Sequence, residues 1–216
     1  MITVRLSAEK GSTMPRSLLL ALVIFFGGCA KQEDHQEKMA LVVKPSESES
    51  KTNKSEKLKV WKTIELGVFQ STNAYLKVLH TADVKIGYHA SKILKKQEFT
   101  VASQKREVKL VKLTLPELGF PNGALLEEIY ARAKELGLDV CPAEVGPALR
   151  LAYKDQPNGE WLLIAMEPIS DSGVGGGPPD RIVLEIGHVG GSLWLDNRYF
   201  RPVLLLPADH WVFVCK

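Results

Sequence analysis

The side chains that could carry chemistry in this 216-residue chain are few and far apart. Glu144 stands between Pro142 and Pro147 in a loop leading into a sheet, His188 precedes a Gly-Gly pair, and Asp196 opens a polar C-terminal segment. Two carboxylates and an imidazole converging in a cleft would suffice for hydrolysis by general acid–base catalysis. Cys141 could act as a nucleophile only as a thiolate. It precedes Pro142, away from any helix N-terminus that would stabilise that charge, so it reads either as a disulfide partner of Cys215 or as one of two buried thiols.

Several patterns exclude particular chemistries. Gly173-Val-Gly-Gly-Gly177 has no Gly-Lys-Ser/Thr after it, so it is a loop and not a phosphate cradle. His188-Val-Gly-Gly-Ser192 lacks a Gly-x-Ser-x-Gly elbow elsewhere in the chain and reads as a glycine turn between strands. The histidines at 35, 80, 89, 188 and 210 form no pair at ligand spacing, so neither a metal nor a cofactor is expected. Two polar clusters remain, Glu144, Arg150, Asp155, Glu160 and Glu167 around one turn, and Asp196, Arg198, Arg201 and Asp209 near the C-terminus. Acids beside arginines are usually structural ion pairs or turn caps.

These residues must be positioned by elements legible in the hydrophobic period. Val60–Val68 and Val108–Leu115 alternate as strands. Ser71 or Thr72 caps a helix bearing Tyr75, Leu76, Val78 and Leu79, and Tyr88–Lys96 reads as a short second helix. Leu125, Leu126, Ile129, Tyr130, Ala133 and Leu136 stripe a third helix over Ala124–Leu136, stopped by Gly137. Ala148–Lys154 and Glu160–Glu167, flanking Asp155–Gly159, read as a hairpin. Arg181–Ile186, Ser192–Leu195 and His210–Cys215 follow as strands. The sum is a single α+β domain over residues 58–216, with a mostly antiparallel sheet of about six strands and two to three helices.

Ahead of that domain lies a different kind of chain. Arg16-Ser-Leu-Leu-Leu-Ala-Leu-Val-Ile-Phe-Phe-Gly-Gly-Cys29 joins a basic flank to an apolar run, Leu18–Phe26, too short for the roughly twenty residues a membrane span needs. It resembles a bacterial lipoprotein signal, with Phe26 where leucine is usual. The resemblance implies removal of residues 1–28; Met14 offers an equally good start, which would make 1–13 an extension. It further implies a lipid such as palmitate on Cys29 and a location in the cell envelope, with the domain outside the cytoplasm. Residues 29–57 are rich in Ser, Glu and Lys and read as a disordered tether.

The charge balance fits that address. Without residues 1–28 the chain has 25 basic and 24 acidic side chains, which argues against a nucleic-acid partner. Residues 51–112 carry 14 basic and 5 acidic side chains, whereas residues 113–216 carry 8 and 14. Were the halves on different faces, the basic one could meet anionic lipid.

Between Ile129 and Ile169 the runs Tyr-Ala-Arg-Ala-Lys-Glu-Leu-Gly-Leu, Cys-Pro-Ala-Glu-Val-Gly-Pro and Gly-Glu-Trp-Leu-Leu-Ile, with Leu193–Asp196 and Trp211–Val214, are similar to a group of uncharacterised bacterial proteins. That resemblance brings no activity with it. Two functions are therefore expected to compete. One is a lipid-anchored module binding an envelope protein or surface polymer. The other is an envelope hydrolase using Glu144, His188 and Asp196.

Overall fold

The computed structural model describes residues 58–171, 180–200 and 205–216. The leader, Cys29, the tether, the 173–177 glycine loop and Arg201 lie outside the described residues. In chain order the elements are β1 (Lys62–Leu66), α1 (Thr72–Thr81), β2 (Lys85–Ile86), α2 (Tyr88–Ile93), β3 (Arg106–Thr114), α3 (Leu126–Glu135), β4 (Leu138–Asp139), α4 (Val145–Ala152), β5 (Trp161–Ile164), β6 (Ile169–Asp171), β7 (Asp180–Val189), β8 (Ser192–Phe200) and β9 (His210–Cys215). All belong to one compact unit, Asn53–Lys216.

The α+β class holds, but its detail differs from the sequence expectation. One nine-stranded mixed sheet runs β1-β3-β9-β5-β7-β8-β2, with β4 beside β9 and β6 beside β7. The β5–β9 and β2–β8 pairs are parallel, and the other pairings are antiparallel. The three extra strands, β2, β4 and β6, have only two or three residues each, too few to display a period. Residues 148–154 are not a hairpin arm. They continue α4, whose Val145, Ala148 and Leu149 are buried at helical spacing. Pro147 sits in the first turn, where a missing N–H costs nothing. Gly146 lets the helix approach the sheet closely, since a Cβ there would lie 2.7 Å from Leu184 Cδ1.

Register divides the sheet into two faces. Paired residues share a face and neighbours along a strand alternate. Ile64, Val108, Leu110, Leu162, Leu184 and Ile186 lie on the first face. α4 packs there against β1 and β7, α1 packs on α4, and α2 reaches it through the His89–Tyr199 ring contact. Leu163, Trp161, Gly187, Glu185, Trp194, Asp196, Arg198 and Trp211 lie on the second. α3 reaches that face through the Tyr130–Trp211 contact, ring centroids 6.2 Å apart. The β7–β8 hairpin turns at Gly190 and Gly191, with φ of 59° and 74°. Two successive positive φ values are what a tight turn matching strand twist requires.

Candidate functional site

Glu144 is 1 % exposed and fully engaged. Its Oε1 accepts from Gly67 N at 2.8 Å and from the Tyr75 hydroxyl at 2.7 Å, and its Oε2 accepts from Ala102 N at 2.8 Å. Burial first, then the bond to Glu144, raises the Tyr75 pKa, so the phenol remains a neutral donor. This carboxylate fastens the β1–α1 turn and the segment before β3 to the start of α4. It is a structural clasp made without an arginine.

His188 and Asp196 do not join it. His188 Nδ1 lies 2.6 Å from Gln156 O. A carbonyl can only accept, so the proton is on Nδ1. Asp196 Oδ1 accepts from Asn197 N at 2.9 Å, and the carboxylate fills the space beside Gly87, where a Cβ would lie 1.9 Å from Oδ1. His188 pairs with Leu193 and Asp196 with Glu185, so the imidazole and the carboxylate point from opposite faces. The trio considered for hydrolysis is dispersed.

Of the two readings of the cysteines, the disulfide is not formed. Cys141 and Cys215 are free thiols. Cys215 faces Leu138 across the β4–β9 ladder, whereas the Cys141 thiol donates to Val212 O at 3.3 Å, three residues further along β9. Three strand steps amount to roughly 10 Å, beyond disulfide reach. Burial raises the Cys141 thiol pKa well above its ordinary value, which leaves no thiolate for nucleophilic work although a cavity of about 490 Å³ adjoins it.

The cluster around the 155–159 turn is also structural in part. Arg150 is fully buried, donating to Gln156 Oε1, to Tyr153 O and, at 3.1 Å, to Gly187 O, with its Nε unpartnered. Desolvation pulls its pKa down to about 10. Glu160 accepts from Lys112 Nζ at 2.9 Å and from the Tyr153 hydroxyl at 3.0 Å. Asp155 and Glu167 are exposed.

The C-terminal cluster behaves differently, because it borders open space. On the second sheet face a cavity of about 430 Å³ is bounded by Glu160, Trp161, Leu163, Arg198, Asp209 and His210. Arg198 donates to Glu185 Oε2 from Nε at 3.1 Å and from Nη2 at 3.0 Å, and its Nη1 stands 3.6 Å from Asp209 Oδ1. Glu185 is only 7 % exposed, and burial raises its carboxyl pKa against the opposing pull of Arg198. Asp209 is fixed by a turn, its Oδ2 accepting from Leu206 N at 3.2 Å.

Trp161 forms the adjoining wall. It pairs with Gly187, where a Cβ would lie 2.4–2.6 Å from Cε3, Cζ3 and Cδ2 alike. Three consecutive ring atoms equally near one point can only mean that the indole lies face-down over the glycine. Its other face turns away from the sheet. Trp194 pairs with the opposite side of Gly187, so the two indoles stand in one row on one face.

Arg198 and Asp209 were visible in the sequence as part of a polar cluster. Glu185 was hidden inside a strand, although a carboxylate within Ile-Val-Leu-Glu-Ile is itself a signal. Trp161 had no signal, because its role comes from a glycine 26 positions away. Among the described residues no three His, Cys, Asp or Glu side chains gather as a metal set, and the cavity lining includes no serine, threonine or cysteine. No protein-family model matches the chain, and searches of curated proteins and of solved structures give no match.

Proposed function

We propose that this protein is a lipid-anchored cell-envelope binding module, tethered through Cys29 and holding its ligand against the second face of the sheet. The observation that carries the binding half is the Glu185–Arg198–Asp209 network beside the Trp161 cavity. Charged groups are pre-positioned there by a rigid strand pair and held to one another as ion pairs. Such a site is suited to orienting a ligand. The anchor half rests on the order of residues 16–29.

Each half has its own test. Radiolabelled palmitate should be incorporated into the wild type and not into Cys29→Ser, and an unlabelled wild type would sink the anchor. For binding, the full chain immobilised on beads should retain an envelope polymer or protein that Arg198→Ala retains several-fold less. Equal retention by the two would remove the cavity from the reading.

A further inference from the structure

We infer that the cavity beside Trp161 binds a neutral saccharide unit, its ring stacked on the outer indole face and its hydroxyls bonded by Arg198 and Asp209. The inference rests on the binding-module reading above and names the ligand class for the same site. Three features select sugar hydroxyls.

The first is the platform. Trp161 is held flat by Gly187 and presents a rigid aromatic face, which suits the apolar C–H face of a pyranose. The second is unspent hydrogen-bonding capacity in planar groups. Arg198 has five N–H donors and commits two to Glu185 within hydrogen-bond distance, leaving its Nη1 side toward Asp209 open. Asp209 accepts one backbone bond through Oδ2 and turns Oδ1 toward Arg198, with lone pairs left over. Paired donors and acceptors fixed in planes match vicinal hydroxyls.

The third feature is charge. Glu185 and Asp209 flank Arg198, so the carboxylates already have a cationic partner. A cationic ligand would compete with that arginine, and an anionic one would meet two carboxylates. The volume, about 430 Å³, falls within the range of small-ligand pockets. Trp194, two strands over and roughly 10 Å away, offers a second indole in the same row, so the site suits a polymer better than a free monosaccharide.

The test is calorimetric titration of the full chain, kept in a sugar-free detergent, with cellotetraose, chitotetraose and maltotetraose, and with oligolysine as the cationic competitor. At least one tetrasaccharide should bind, weakened about tenfold by Trp161→Ala, the loss expected for one stacking contact. Arg198→Lys keeps the charge but loses the planar fork, and should weaken binding similarly while the chain still unfolds in one cooperative transition. It carries the test if Trp161→Ala fails to fold. Silence with all three sugars overturns the inference, as does binding that survives both substitutions. Binding of oligolysine alone overturns the saccharide while leaving a binding module in place. Failure of the bead retention described above would sink both.

Discussion

Removing the Glu144 carboxylate would leave two backbone N–H groups and the Tyr75 hydroxyl buried without an acceptor. An orphaned buried donor costs more than the bond itself contributed, so Glu144→Ala is expected to lose about 3–5 kcal/mol. For a domain of this size that lowers Tm by roughly 10 °C or more. Tyr75→Phe removes one donor and should cost about 1 kcal/mol. Measured in a double-mutant cycle by urea unfolding, the pair should be strongly non-additive. A loss under about 0.5 kcal/mol for Glu144→Ala would refute the clasp. The pH dependence has a definite sign. The folded chain holds the Tyr75 proton that the unfolded chain releases near pH 10, so this contribution is complete below pH 10 and declines as pH rises further. Tyr75→Phe should flatten that alkaline decline. The thiols give another residue-scale outcome. Cys215 is partly exposed and Cys141 buried, so a thiol reagent at pH 8 should label Cys215 in the folded protein and both only in denaturant. Resistance of both to labelling until a reductant is added would restore the disulfide.

At the scale of elements, close approach decides what a substitution does. Gly187→Ala would place a methyl within 2.6 Å of three Trp161 ring atoms and must lift the indole. Overpacking of this kind costs about 1–3 kcal/mol, and it should also shift the tryptophan emission maximum to the red as Trp161 meets water. An unshifted spectrum would contradict the flat indole. The same logic explains which elements the sequence disclosed. α1 was legible because Ser71 caps it through a 3.2 Å bond from Ala74 N, and β7–β8 because the Gly190–Gly191 turn separates two strand-length runs. α4 was not, since Leu149, Leu151 and Tyr153 alternate like a strand while Val145, Ala148, Leu149 and Ala152 repeat like a helix. Contact with Leu184 settled it. The candidate site was half legible for a related reason. Arg198 and Asp209 announce themselves as charges, but Glu185 and Trp161 act through partners brought close only by strand pairing.

At the scale of the whole molecule, strand order redistributes charge that looked segregated along the chain. The basic segment 51–112 contributes β1 and β3 to one end of the sheet and β2 to the other. Six inter-strand steps separate those ends, roughly 29 Å. Lysines at the two ends are therefore too far apart to form one concentrated basic patch. Several are also engaged locally, Lys85 with Asp83 at 2.9 Å, Lys112 with Glu160 at 2.9 Å and Lys105 with Glu65 at 3.8 Å. Each free lysine at an anionic surface contributes on the order of 1 kcal/mol, so splitting the set loses most of the avidity a single basic face would have. The unit Asn53–Lys216, produced without the leader and Cys29, should consequently show little co-sedimentation with vesicles containing one-third phosphatidylserine at physiological salt. Membrane attachment would then depend on the lipid proposed at Cys29, not on lysines of the domain. Strong co-sedimentation that disappears at high salt would mean that one end of the sheet suffices, and substituting Lys109 and Lys112 against Lys92 and Lys95 would identify which.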